Sequence, residues 1–182
     1  MLRITISARE IYDEQNNMFI SIDEQELQLE HSLVSLSKWE SKWCKPFYTK
    51  EPKTLEETID YIRCMTVTEN VDPIVYSCLS EKNVSEINSY IEHPMTATTF
   101  SNMKSKAGKN NGERVTSELI YYWMIAFNIP VEFEHWHLNR LLTLIQVCEI
   151  KNEPPKKMSK HDVMSRNAAL NAARRKQMNS SG

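Results

Sequence analysis

Glycine is nearly absent. Only Gly108, Gly112 and Gly182 occur among 182 residues, which leaves little material for tight hairpin turns and none for a glycine-lined phosphate cradle. No apolar run reaches the roughly 18 residues needed to cross a bilayer. The opening "MLRITISAREIYDE" alternates where a secretory leader would hold a continuous apolar stretch, so a cytoplasmic protein with no membrane partner is expected. Cys44, Cys64, Cys78 and Cys148 stand far apart without a CxxC spacing. That excludes a zinc ribbon or dithiol motif and points to buried free thiols. A glycine-flanked nucleophile turn is missing as well. No catalytic residue, cofactor or metal site is expected.

What is present suffices for a self-standing core, since a domain of about 150 residues buries about 70% of its unfolded surface. The net charge of −2 hides an asymmetry. Residues 151–182 hold eight Lys and Arg against Glu153 and Asp162, or +6, which leaves −8 on residues 1–150. An acidic body thus carries a basic tail.

The expected fold is α+β and predominantly helical: a small antiparallel sheet to about residue 29, a helical bundle to 150, and a proline-hinged tail over 151–182. "LRITI", "MFISI" and "ELQLEH" alternate as short strands, two or three of which form the sheet. From about Ser32 the period becomes helical, with Leu33, Leu36, Trp39 and Trp43 on one face up to Pro46. Thr54 and Glu57 form a capping-box pair ahead of a stripe of Leu55, Ile59 and Ile62. Asp72 with Pro73 marks another helix start, and Val84, Ile87 and Ile91 face inward in a short helix that Pro94 ends. Residues 105–112 lack periodicity and read as an exposed loop. Two core helices follow, the first with Leu119, Tyr122, Trp123 and Ala126 inward. The second runs from about 133 to 150 on Leu138, Leu141, Leu142, Ile145 and Cys148. Pro154 and Pro155 then break the chain, and Ser159 with Asp162 caps a short basic tail helix.

"HWH" invites a metal reading. Two residues apart on a helix, His135 and His137 would point roughly 200° from each other and could not share an ion, so Trp136 is expected to pack at the helix start instead. "WESKWCKPFY" holds more aromatic surface than one short helix needs, which makes Trp39, Trp43, Phe47 and Tyr48 a candidate interaction patch. In the tail, Lys156, Lys157, Arg174 and Arg175 are the candidate contacts to an acidic partner. Nucleic acid is disfavoured, because no aromatic residue between 151 and 182 can stack on a base and the acidic body repels a polyanion.

The long run "TSELIYYWMIAFNIPVEFEHWHLNRLLTLIQVCEIKNEPPKKMSKHDVMSRNAALNAARRKQ", with "LEHSLVSLSKWESKW" and "IEHPMTATTFS", resembles the tail assembly chaperones encoded by long-tailed bacteriophages. Apart from this likeness, a homo-oligomer is a further partner to consider; the resemblance itself implies a non-catalytic factor in the host cytoplasm. Its partners would be the tape measure protein, which it keeps soluble, and the tail tube protein, which it recruits. The amino-terminal strands have no counterpart in that role and leave a virion structural or head-tail connector protein as the alternative. A nucleic-acid-binding regulator that uses the basic tail is the third reading.

Overall fold

The computed structural model describes residues 1–13, 17–100, 114–152 and 160–178. The fold is α+β and mostly helical. The chain divides into two compact units, Met1–Glu149 and Ile150–Gly182.

The first unit opens with four strands, β1 (Leu2–Ile6), β2 (Arg9–Asp13), β3 (Met18–Ile22) and β4 (Gln25–Leu29). β1 pairs antiparallel with β4, setting Leu2 opposite Leu29, and β2 pairs antiparallel with β3, setting Arg9 opposite Ile22. Arg9 lies seven residues beyond Leu2 and Ile22 seven before Leu29, so the two ladders share one register. They form a single long hairpin, interrupted at Ser7 and Ala8 on one side and Asp23 and Glu24 on the other. In the inner half Ile4, Ile6, Leu27 and Leu29 are buried. Past the interruption the inward positions change parity to Ile11 with Ile20 and Ile22, so the twisting ribbon turns its other face to the body.

The inner half is held on both edges. Backbone N–H groups of Glu30 and Val67 donate to Met65 and Gln28 carbonyls, each at 2.8 Å, and Asn83 Nδ2 donates to the Thr5 carbonyl at 3.3 Å. Two or three strands were expected and four are present. "REIYD" escapes a reading by alternation because its apolar residues, Ile11 and Tyr12, are adjacent.

Helix α1 (Leu33–Trp43) starts at a capping box in which Ser32 and Ser35 exchange hydrogen bonds. It buries Leu33, Leu36 and Trp39, and it ends where Cys44 takes the left-handed conformation at φ 51°. Helix α2 (Leu55–Met65) starts at the expected Thr54/Glu57 box. Its buried apolar residues are Tyr61, Ile62 and Met65, whereas Leu55, expected in the stripe, is 76% exposed because the first turn runs out past the core. Asp72 caps the Ile74 N–H at 2.9 Å, yet the segment it opens, Pro73–Cys78, is a 3-10 helix. In α3 (Glu81–Glu92) Ile87 and Tyr90 are buried, while Val84 and Ile91 are half-buried.

Helix α4 (Ser117–Ala126) is rotated from the expected face. Ile120 and Met124 point inward, and Tyr122 and Ala126 are exposed. An all-round apolar sequence gives no periodicity from which to choose a face. A 3-10 helix over Val131–His135 precedes α5 (Leu138–Asn152), so the last core helix begins five residues later than expected. Its buried residues are Leu138, Leu141 and Ile145. The thiols also depart from expectation: Cys78 is buried, Cys64 and Cys148 are half-buried, and Cys44 is exposed.

In the second unit α6 spans Lys160–Met178, with exposed residues from Met164 onward, Arg174 and Arg175 among them. Lys156, Lys157, the proline pair, Ser159 and the expected loop over 105–112 lie outside the described residues.

Leu141 is fully buried mid-helix, so Leu141→Ala is expected to cost about 2 to 5 kcal/mol in denaturant unfolding. Glu40 is a different kind of anchor. One carboxylate oxygen accepts the Phe47 N–H and the other the Ser117 N–H, each at 2.7 Å. Glu40→Gln presents an amide donor to one of these N–H donors, and the same measurement should show a loss of roughly 2 to 3 kcal/mol.

Candidate partner-binding face

Around α1 and α2 the aromatic and charged side chains are engaged in structure. Trp39 is fully buried and its Nε1 donates to the Glu57 carbonyl at 2.9 Å. Trp43 is half-buried and donates to Asp60 Oδ2 at 2.9 Å. Lys42 pairs with Asp60 and Lys45 with Glu57, and the Lys45 hydrogen bond holds the Glu57 carboxyl below its usual range. Lys53 lies 3.8 Å from the Phe47 ring centre and donates to the Phe47 carbonyl at 2.8 Å. Burial lowers its pKa, against an opposing pull from Glu57.

Phe47 itself is buried. Of the four aromatics expected as a patch, Trp39 and Phe47 are therefore core, Trp43 is half-buried, and Tyr48 keeps 43% of its surface exposed. Burial, then the Glu40 charge, pushes the Tyr48 phenol up to about 12. The excess of aromatic surface in this segment is absorbed by packing between α1, α2 and the connection between them.

The two histidines of "HWH" separate completely. His135 sits on the 3-10 helix and is exposed, 3.6 Å from Glu134. His137 lies ahead of α5 and is buried, with Nε2 donating to the Tyr90 carbonyl at 3.0 Å. Its ring meets His31 edge-on at 5.1 Å, and His31 Nδ1 hydrogen-bonds the Tyr61 hydroxyl at 2.6 Å. His137 Nδ1 is buried without a partner among the described residues. Burial is the first cause that lowers both pKa values, and the neighbouring His137 adds to it for His31, whose value falls to about 3. Among the described residues no group of three or more His, Cys, Asp or Glu converges as a metal site would. Trp136 packs at the helix start, stacked on Phe133 at 4.0 Å with the Arg140 guanidinium 3.9 Å above its ring.

Unpartnered apolar surface occurs instead on α4. Thr116 caps its start, and the buried Glu40 carboxylate binds the Ser117 N–H beside the cap. The helix closes in a Schellman arrangement: Ile129 N–H donates to the Met124 carbonyl at 2.8 Å and Asn128 N–H to the Ile125 carbonyl at 3.1 Å, with Asn128 at φ 52°. Tyr121 donates to Glu134 at 2.7 Å and ties the following 3-10 helix back to α4.

Between these fixed ends "LIYYWMI" puts apolar side chains around the whole circumference. Ile120 and Met124 satisfy the core. Tyr122 and Ile125 are left 63% and 76% exposed on the opposite side. On one flank Trp123 and Phe127 face Leu142, Ile145, Gln146 and Glu149 of α5 across a groove of about 360 Å³. A surface helix that is apolar on its outer face has a larger hydrophobic area than its own fold uses. Glu118 at the start of α4 and Glu149 at the groove edge give that area an acidic border.

This face was missed in the sequence because Tyr122 and Trp123 were assigned to the core. The available signal was the lack of any polar side in seven consecutive residues. Among the described residues no helix is long and apolar enough to cross a membrane. No family model, curated protein or solved structure matches the chain.

The buried histidines make stability depend on pH. Their folded-state pKa values lie below the ordinary value near 6.5, so the unfolded chain binds more protons than the folded one in acid. Stability is expected to be complete above about pH 7 and to fall as pH drops below 6.5, with His31 alone costing about 2 kcal/mol by pH 5. Denaturant unfolding from pH 7.5 to 5 checks this, and His31→Phe should flatten the slope.

Proposed function

We propose that the protein is a non-catalytic tail assembly chaperone of a long-tailed bacteriophage. It acts in the host cytoplasm and covers apolar helical segments of the tape measure protein until tail tube subunits enclose them. The observation that carries this reading is the outer side of α4, where Tyr122 and Ile125 stand in solvent, on the same helix whose Trp123 and Phe127 line the α4/α5 groove. An amphipathic helix laid along such a face would bury apolar stripes on both partners. The formal charge of −8 on residues 1–150 would keep the resulting complex dispersed.

A second reading, a structural or head-tail connector protein, draws on the β2–β3 arm, which exposes Tyr12, Met18 and Phe19. Purified virions distinguish the two. A chaperone is abundant in lysate and absent from particles by mass spectrometry, whereas a connector is present at fixed stoichiometry. Tight salt-sensitive binding to DNA through α6 would favour a nucleic-acid regulator over both.

Ile125→Asp places a charge on the proposed docking face without touching the core. Capture of co-expressed tape measure protein should fall about tenfold or more, as removal of a buried interface anchor does, while the melting temperature stays close to that of the unaltered protein. Unchanged capture would place the contact elsewhere.

A further inference from the structure

The hairpin's two halves differ in how their edges are treated. β4 is stapled to residues 65–68, and β1 is closed by Asn83 at Thr5. Among the described residues no backbone hydrogen bond reaches β2 or β3 from outside the arm. A two-stranded ribbon with both edges open is marginal on its own, and an open edge is a template for another strand. This one also exposes Tyr12, Met18 and Phe19 at 46%, 53% and 68%, with the Tyr12 and Phe19 rings 5.1 Å apart across the ladder.

The two edges are not equivalent. β2 reads Arg9-Glu10-Ile11-Tyr12-Asp13. Set antiparallel to its own copy with Ile11 opposite Ile11, it brings Arg9 of each chain opposite Asp13 of the other and Glu10 opposite Tyr12. The register is self-complementary in charge, as a two-fold interface requires. Moving it so that Glu10 faces Glu10 would set like charges together. The edge of β3, Met18-Phe19-Ile20-Ser21-Ile22, carries no charge and specifies no register.

Space is available on the β2 side. Where the strand meets β1, a cleft of about 640 Å³ lined by Arg3, Arg9, Lys82 and Glu86 lies between the ribbon and α3. Arg9 has no ion-pair partner among the described residues.

We propose that two copies of this chain pair through the outer edge of β2, antiparallel about a two-fold axis at Ile11. The two hairpin arms then form one four-stranded sheet in the order β3-β2-β2-β3. This contact is separate from the α4 face and does not depend on the chaperone reading.

Sedimentation equilibrium of the full chain across the micromolar range tests it. The unaltered protein is expected to dimerise. Arg9→Asp and Asp13→Arg should each weaken the dimer about tenfold by setting like charges opposite one another, and the double exchange should restore it. A geometric check uses Cys44→Ser to remove the exposed thiol. In that background Ile11→Cys should form an intermolecular disulfide on oxidation and Ile20→Cys should not. A protein that stays monomeric overturns the proposal. So does a dimer indifferent to both charge reversals, or one crosslinked at position 20 and not at 11, which would assign the contact to β3 or to α4.

Discussion

A buried carboxylate organises this molecule. Glu40 sits near the end of α1 at 6% exposure, where an unpaired negative charge would cost several kcal/mol. That cost is offset only if both oxygens find donors, and the two donors come from parts of the chain far apart in sequence. One is Phe47, in the connection that turns back over α1. The other is Ser117, 77 residues away at the first turn of α4. Because each N–H is a backbone group, the carboxylate fixes main-chain position as well as side-chain packing. Helix α4 is thereby anchored at its first turn against α1. The Schellman closure at Asn128 anchors its other end. Its rotation about its own axis follows, and with it which apolar residues are left outside.

The same logic explains which parts of the fold were legible in the sequence. Local devices were. Thr54 with Glu57 was readable because capping is a matter of spacing along the chain, and the core stripe of α5 because Leu138, Leu141 and Ile145 recur at helical period. Long-range devices were not. Nothing about Glu40 in "SKWESKW" distinguishes it from a solvated acid until its two donors are located. His137 looked like part of a helix, yet its environment is set by His31 and Tyr90, which reach it from two other segments. The α4 face failed for a further reason: periodicity locates a buried side only where a polar side exists. In the hairpin, β2 was overlooked because its charged residues at 9, 10 and 13 suit an edge strand, and an edge departs from simple alternation.

The buried histidine pair defines how complete the interior is. Burial disfavours the charged forms of His31 and His137, and the backbone beside them joins the end of the hairpin to the start of α5 through the Leu138 N–H and the His31 carbonyl at 2.7 Å. Among the described residues His137 Nδ1 is the one buried side-chain polar atom without a partner. The other buried side-chain nitrogens and oxygens of the described residues all have hydrogen-bond partners. Further association of this unit therefore has to draw on its surface.

That condition gives the exposed apolar residues their meaning. Single exposed hydrophobics are ordinary on any protein, but two groups of them, Tyr122 with Ile125 and Tyr12 with Met18 and Phe19, lie together in places that differ in kind. On α4 they lie on a helix whose ends are both pinned, so the surface is presented rigidly and an incoming element would meet preformed shape. On the hairpin arm they lie on a ribbon whose edges carry unused hydrogen-bonding groups, so an incoming strand would add main-chain bonds to side-chain contact. The first suits a helix and the second a strand, and the arm's charge order, with Arg9 and Asp13 placed symmetrically about Ile11, suits a strand identical to itself. The two surfaces can therefore serve different partners at once: self-association through the arm would leave the pinned face of α4 free in each copy and double the number of such faces in one particle. Two linked faces raise the effective concentration of the second contact with any extended partner once the first has formed.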